Sequence, residues 1–192
     1  MKILFDLSAT QSDNEIINHG GREYAKAVFI KLIESGQESV SAFYNPNLSL
    51  GGIISELIKK YSIITLENDD IVSICRFVIE NNINIFYSAL PKREYIPLIK
   101  MQSESFKVII TIHGLRSLEL PSDRLEWRYC NSAKSKIKFI YKQLFPSVYK
   151  NSILKHFQVY LCAYRLITVS NHSKYSLLTF FPELSAEKIF VF

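Results

Sequence analysis

The chain has 192 residues, of which 48% are hydrophobic and 13% aromatic, with six glycines and six prolines. This composition excludes a disordered chain, and the length favours one globular domain with a full hydrophobic core. The three cysteines are widely spaced, odd in number and without a CxxC pair. We therefore expect neither a disulfide framework nor a zinc site, and a reducing compartment.

The positive charge is concentrated in one segment. The net charge is +5, but residues 124–156 contain eight lysines and arginines against one acid, Glu126, which gives +7. The rest of the chain has 15 basic and 17 acidic residues, a balance of −2. The first apolar run is broken by Asp6 and is too short for a signal peptide, and no run approaches the ~18 residues of a spanning helix. We expect a cytoplasmic protein, either soluble or peripheral on the inner face of the plasma membrane.

Strands and helices alternate through the first half of the chain. Apolar and β-branched runs predict strands over residues 2–8, 38–44, 62–66 and 83–88. Apolar residues at helical spacing predict helices ending at Gly36, over about 49–60, after Asp69 and Asp70, and around 95–101. A polar loop over 9–18 joins the first strand to His19-Gly20-Gly21.

The second half contains the central strand, FKVIITIHG at 106–114. Its residues 108–112 are all β-branched and uncharged, which suits a strand covered on both faces. A loop over 115–121, a helical region broken near Phe145-Pro146, a strand over 165–170, a helix capped by Asn171 or Ser173, and a strand over 188–192 follow. The alternation predicts an α/β fold: one Rossmann-like, doubly wound domain with a mainly parallel sheet of about seven strands.

The basic helical region has two predicted apolar stripes. The first is Ile137, Ile140, Tyr141, Leu144, Phe145 and Val148; the second is Ile153, Phe157, Tyr160, Leu161 and Tyr164. Lys134, Lys138 and Lys142 border the first stripe on one flank, and Lys136 borders it on the other. One interpretation is a core-facing helix with a soluble lysine rim. The alternative is a membrane-facing helix whose four lysines reach anionic headgroups while the apolar residues lie beneath them.

His113 is the candidate centre of a functional site. In open α/β sheets, ligands bind in the crevice beyond the carboxyl ends of the strands, and His113-Gly114 ends the central strand. Its imidazole can hydrogen-bond a hydroxyl or move a proton near neutral pH. The alternative is a core histidine with both ring nitrogens satisfied.

Four features in order resemble the N-terminal half of family 4 glycosyltransferases, the "glycosyl transferases group 1", which have the two-domain GT-B fold. They are the loop closing on HGGREY, the strand ending TIHGLRSLELP, the junction ITVSNHSK and the closing EKIFVF. The resemblance covers the whole chain. It implies an enzyme that transfers a sugar from a nucleotide-sugar donor to a glycan or lipid-linked acceptor, with no metal or other cofactor.

The resemblance also implies a division of labour between two domains. Residues 1–192 correspond to the acceptor-side domain, and the C-terminal domain that binds the nucleotide is absent from this sequence. We therefore expect the isolated chain to be inactive. The sequence departs from the family at Gly114, where many relatives carry an acidic residue, so a general-base role is not assigned to that position.

Residue by residue, the resemblance assigns three kinds of role. His113 is catalytic, and Gly20 and Gly21 contact the donor phosphates through free N–H groups at a helix start. The residues on the acceptor side are Arg22, Tyr24, Gly114, Ser170, Asn171 and Ser173. Alternatively, the glycines are an ordinary helix start, the residues at 170–173 are caps, Arg22 is solvated and Tyr24 belongs to the core.

Two other functions compete with this one. The first is a non-catalytic sugar- or membrane-docking module that works with a separate donor-binding subunit. The second is nucleic-acid binding through the lysine-rich segment, which is disfavoured because the aromatic residues there have core spacing rather than that of exposed stacking platforms. No nucleic-acid partner is therefore expected.

Overall fold

A computed structural model describes residues 1–11, 20–36, 39–120, 124–130 and 132–192, except the side chains of Arg124 and Tyr129. Within these ranges one sheet contains β1 (Lys2–Asp6), β2 (Ser39–Phe43), β3 (Ile64–Leu66), β4 (Ile85–Ser88), β5 (Lys107–Ile112), β6 (Arg165–Thr168) and β7 (Ile189–Val191). The strand order is β3-β2-β1-β4-β5-β6-β7, and every neighbouring pair is parallel. The predicted single α/β domain with a seven-stranded parallel sheet is confirmed.

The strands are joined by helices and by short 3₁₀ turns. The helices are α1 (Gly20–Ser35), α2 (Gly52–Lys60), α3 (Ile71–Glu80), α4 (Ile96–Lys100), α5 (Arg116–Glu119), α6 (Ala133–Leu144), α7 (Pro146–Tyr160) and α8 (Asn171–Phe180). The 3₁₀ turns are Leu7–Thr10, Arg93–Tyr95, Arg124–Tyr129 and Ala186–Lys188. The prediction of a plain loop over 115–121 is wrong, because it contains α5.

Local chemistry explains several element boundaries. Gly36 follows α1 with φ of +60°, a conformation that glycine adopts without strain. Asp70 caps α3 by accepting a hydrogen bond from the Ser73 N–H, and Pro146 begins α7, where its missing N–H costs nothing. The cap of α8 was predicted one residue or more too late, since Ser170 is the N-cap and accepts from the Ser173 N–H.

The sheet is covered on both faces, as a doubly wound fold requires. One layer contains Leu4, Phe86, Val108 and Ile110 with residues of α3, α4, α5, α7 and α8. The opposite layer contains Ile3, Phe5 and Tyr87 with residues of α1 and α2. Neighbouring strand residues alternate between the two layers, which is the period of a strand.

Helix α6 lies outside both layers. Its only buried residue is Lys142, which is 3% exposed, whereas Ile137 and Leu144 are 68% and 67% exposed. The interpretation of the first stripe as core-facing is therefore wrong. The placement of Lys142 on a membrane-facing surface is wrong as well, because its side chain is buried and its ammonium pairs with Glu126. In the described part of the chain, no helix combines the length and apolar character needed to span a bilayer.

Candidate active site at the carboxyl edge of the sheet

The carboxyl ends of the parallel strands meet along one edge, where most of the predicted site residues lie. Strand β1 pairs with β2 on one side and β4 on the other, so the direction of winding reverses between β1 and β4. Ligands of open α/β sheets bind in the crevice at such a reversal. The candidate site is therefore built from the residues that follow β1, β4, β5 and β6.

His113 follows β5 directly and is held at two points. Its ring Nε2 lies 2.8 Å from the carbonyl oxygen of Ala89, the residue after β4. A carbonyl oxygen only accepts, so Nε2 carries the hydrogen, and the lone pair of the neutral ring is at Nδ1. The backbone carbonyl of His113 accepts a hydrogen bond of 3.0 Å from the Ser173 hydroxyl. The imidazole thus has a fixed tautomer and a fixed position.

Tyr24 brings the start of α1 against the histidine. The Tyr24 and His113 rings meet edge to face, with centroids 5.0 Å apart and planes at 89°. The same tyrosine makes a second edge-to-face contact, at 5.5 Å, with Phe192 after β7. Because Tyr24 is one turn beyond Gly20 and Gly21, the glycines, the tyrosine and the histidine share one edge of the sheet.

The start of α1 provides the predicted phosphate-contacting positions. Gly20 is exposed and Gly21 is buried, and Arg22 in the same turn is half-buried. A Cβ at Gly20 would meet no described atom within 4 Å, so packing among the described residues does not demand a glycine there. The preceding His19 and residues 12–18 of the polar loop lie outside the described residues, and the start of that loop is part of the 3₁₀ turn Leu7–Thr10.

Two serines follow β6: Ser170 caps α8, and Ser173 donates a hydrogen bond to the backbone of His113. The Ser170 and Ser173 hydroxyl oxygens are 3.1 Å apart, and the Ser170 side chain also accepts from the Ser173 N–H. Ser173 is 3% exposed and connects this cap to the His113 carbonyl. Asn171 is exposed at the first position of α8. Capping therefore explains Ser170, and the contact with His113 gives Ser173 a second role.

Gly114 lies against Ser173 without crowding. A Cβ built on Gly114 would lie 3.9 Å from the Ser173 hydroxyl oxygen, an ordinary van der Waals distance. Gly114 itself is exposed, and its backbone is not in the left-handed region. Neither the backbone conformation of Gly114 nor packing among the described residues requires a glycine here.

A buried carboxylate beside this edge was missed by the sequence reasoning. Asp6 at the end of β1 is fully buried and accepts hydrogen bonds from the Ser88 and Tyr95 hydroxyls, at 2.8 and 2.7 Å. The Ser8 N–H and hydroxyl complete its shell, and Lys92 donates to the Ser8 hydroxyl at 2.7 Å. The signal was present, because a charged residue interrupts the apolar run of the first strand.

The tyrosines around the site remain protonated. Burial, followed by the negative charge of Asp6, raises the pKa of Tyr95 well above that of an ordinary tyrosine, so its hydroxyl stays a donor to the carboxylate. Burial also raises the pKa of Tyr87, whose hydroxyl lies 2.8 Å from that of Thr111 beneath the site. Neither phenol can act as a base near neutral pH.

The predicted lysines are not part of this edge. Lys134, Lys136 and Lys138 are exposed on α6, and Lys142 is buried, as described above. Within the described ranges, no cluster of three histidine, cysteine, aspartate or glutamate side chains could hold a metal ion. The arrangement at the edge is instead a positioned imidazole surrounded by hydroxyls, aromatic rings and the start of a helix, which suits a hydroxyl-rich ligand.

Comparison with known proteins supports the fold. No protein-family model matches the sequence, and no curated protein matches it. Among solved structures, a glycosyltransferase from Rickettsia africae ESF-5 is similar with a TM-score of 0.52 and 15% sequence identity. The match covers 99% of this chain but 42% of the Rickettsia protein, so this chain spans less than half of its length. The chain therefore has a glycosyltransferase-like α/β fold that corresponds to one part of such a protein.

Proposed function

We propose that this chain is the acceptor-binding half of a glycosyltransferase with the GT-B fold, similar to family 4. It would help to move a sugar from a nucleotide-sugar donor to a cell-surface polysaccharide or glycolipid acceptor. The observation that carries the proposal is the meeting of Tyr24, His113 and Ser173 at the carboxyl edge. The likeness to a glycosyltransferase over nearly the whole chain supports the same conclusion.

The proposed role of His113 is to orient a sugar hydroxyl and to exchange its proton. The hydrogen bond from Nε2 to Ala89 fixes the orientation of the ring toward a substrate hydroxyl at this edge. Histidine is the side chain that most often serves as a general acid or base in such proton transfers. Tyr24 supports one edge of the ring and Ser173 anchors its backbone, so the imidazole meets the substrate with little loss of conformational freedom.

The proposed role of Gly20 and Gly21 is contact with the donor diphosphate. The first N–H groups of α1 have no partner within the helix, and together with the positive end of the helix dipole they favour an anion. Arg22 lies in the same turn. The nucleotide itself would be held by a second domain, so we expect no sugar transfer by residues 1–192 alone.

The test is to replace His113 in a protein that contains both lobes. Residues 1–192 would be expressed together with a nucleotide-binding lobe and assayed with labelled uridine diphosphate glucose and guanosine diphosphate mannose on membrane extracts. We expect His113→Ala to lower turnover by one to three orders of magnitude, in line with general acid–base contributions of ~10² to 10⁴.

The matched control is His172→Ala at the start of α8. The His172 side chain is 78% exposed and contacts Glu119 at 3.2 Å, away from the imidazole of His113. It should leave turnover within about twofold of the parent, because a solvated side chain contributes little. Equal rates for His113→Ala and the parent would remove His113 from the mechanism.

A second candidate function is favoured by the exposed stripe on α6. A docking module that binds sugar or membrane, and that works with a separately encoded donor-binding subunit, would also show this surface. Coexpression separates the two: transfer by a single polypeptide supports the enzyme half, whereas transfer only after a second subunit is added supports the module.

A further inference from the structure

The outward face of the α6–α7 corner is apolar and bordered by lysines. Ile137, Ile140, Tyr141 and Leu144 of α6, with Phe145 and Val148 of the following turn, are between 45% and 68% exposed. Lys134 and Lys138 lie on one flank and Lys136 on the other, and all three are exposed. We call these nine residues the lysine-flanked surface.

The orientation of α6 is fixed by contacts on its other face. The Lys142 ammonium forms an ion pair with Glu126 and lies 4.8 Å from the centroid of the Tyr149 ring on α7. Phe139, on the same side, packs at 5.4 Å against Trp127. Turning the stripe inward would break both contacts and expose a buried lysine, so the apolar residues face outward because of the fold.

The neighbouring 3₁₀ turn adjoins the lysine-flanked surface at its Lys136 flank. Leu125 and Trp127 are 57% and 45% exposed, and the Lys136 ammonium lies 5.7 Å from the Trp127 ring. Tryptophan and tyrosine side chains are enriched where an apolar layer meets water, because one end of the ring system is polar. Trp127 and Tyr141 therefore stand where headgroups would meet the acyl region.

We propose that the lysine-flanked surface binds an anionic lipid bilayer. The charges are complementary: residues 124–156 carry +7, and their only acid, Glu126, is already paired with Lys142. Lysines beside an apolar stripe can extend to headgroups while the stripe enters the outer acyl layer. This inference goes beyond sugar transfer and does not depend on it.

Two other binding partners, a second copy of the chain and a nucleic acid, fit the same surface less well. A symmetric pair of copies meeting through it would bring two sets of lysines together, and like charges oppose that contact. Nucleic acid would use the lysines and the aromatic residues. Trp127, Tyr141 and Phe145 are exposed, so the prediction that the aromatic residues of this segment face the core is wrong for these three. The centre of the stripe is nevertheless aliphatic, and Ile137 and Leu144 offer no stacking face for a base.

The experiment is cosedimentation of the purified chain with vesicles. The two compositions are pure phosphatidylcholine and an equal mixture of phosphatidylcholine and phosphatidylglycerol. We expect binding to the anionic vesicles that weakens as salt is added, and little binding to the neutral ones. Leu144→Asp should abolish binding, and replacing Lys134, Lys136 and Lys138 by Gln should lower the partition coefficient about a hundredfold, at about fivefold per lysine.

Matched controls distinguish binding by the lysine-flanked surface from nonspecific hydrophobic and electrostatic binding. Ile79→Asp alters a side chain that is 66% exposed on α3, and Lys100→Gln removes an exposed charge from α4. Both should bind like the parent, and circular dichroism should show the same fold for every variant. Equal loss in Ile79→Asp and Leu144→Asp would overturn the proposal. So would equal binding to both vesicle types, a dimer without lipid that Leu144→Asp dissociates, or binding of an oligonucleotide but not of vesicles.

Discussion

The carboxyl edge of the sheet and the region of the lysine-flanked surface each bury one charged side chain, and the two charges are of opposite sign. At the edge, Asp6 is fully buried, and its carboxylate accepts hydrogen bonds from Ser8, Ser88 and Tyr95. At the lysine-flanked surface, α6 buries Lys142 and exposes Ile137 and Leu144. At the carboxyl edge, the buried charge positions polar groups. At the lysine-flanked surface, a charge is buried while apolar side chains are exposed to solvent.

This difference shows where a sequence pattern is enough to predict which way a side chain points. In the sheet, strand pairing and coverage on both faces fix which way each side chain points. A helix outside the layers has a stripe whose direction depends on tertiary partners, here Glu126 and Tyr149. Variants that remove either buried charge or its hydrogen-bond partners test this comparison.

Replacing Asp6 should have the largest effect on stability. Asp6→Ala leaves the buried hydroxyls of Ser88 and Tyr95 without their acceptor and opens a small cavity, so we expect a loss on the order of 4 kcal/mol in the free energy of unfolding. Urea denaturation followed by circular dichroism would measure it. Asp6→Asn keeps the shape and one acceptor oxygen, and should cost about half as much. An Asp6→Ala variant as stable as the parent would show that the polar cluster does not hold β1 to β4.

The ion pair beneath α6 should respond asymmetrically. Glu126→Ala leaves Lys142 buried without its carboxylate and should cost about 2 to 3 kcal/mol, below the full range for buried pairs because Glu126 is itself partly exposed. Lys142→Met keeps the volume and removes the buried charge, so it should be neutral or stabilising. Both are read from the same urea curves. Equal costs for the two variants would contradict the view that desolvation of Lys142 dominates this pair.

Much of the fold could be predicted because its signals are local. The β-branched run at 108–112, Gly36 and Pro146 each act through backbone conformation or strand propensity, and the structure places each where expected. The stripe on α6 was recognised from its spacing, but its outward direction was not predictable. That direction depends on Glu126, which lies 16 residues before Lys142 in the sequence.

The candidate site was partly predictable for a related reason. His113, Gly114 and Ser173 follow strands, and parallel strands bring their ends together, so their proximity follows from topology. The Asp6 cluster joins residues 82 and 89 positions apart, and only the strand order β1-β4 brings them into contact. Side chains that meet through such long-range pairing leave little local signal.

Ser173→Ala tests whether the second serine supports the histidine. The Ser173 hydroxyl donates to the His113 carbonyl, so its loss should cost about 1 kcal/mol and loosen the ring. Line widths of the His113 ring protons in NMR spectra would report the loosening. Ser176→Ala on the same helix, whose hydroxyl contacts Glu119, should leave the His113 signals unchanged. Identical His113 spectra in both variants would argue that Ser173 does not position the ring.

Gly114→Ala should have the smallest effect on stability and separates folding from ligand binding. The added Cβ would lie 3.9 Å from the Ser173 hydroxyl, and the backbone does not require a glycine, so we expect a change within about 0.5 kcal/mol. If Gly114 lets an acceptor approach this edge closely, sugar transfer by the two-lobed protein should nevertheless fall, because the methyl group occupies space next to the Ser173 hydroxyl. Full activity together with full stability would remove Gly114 from the acceptor side, whereas a large loss of stability would contradict the packing described for β5 and α8.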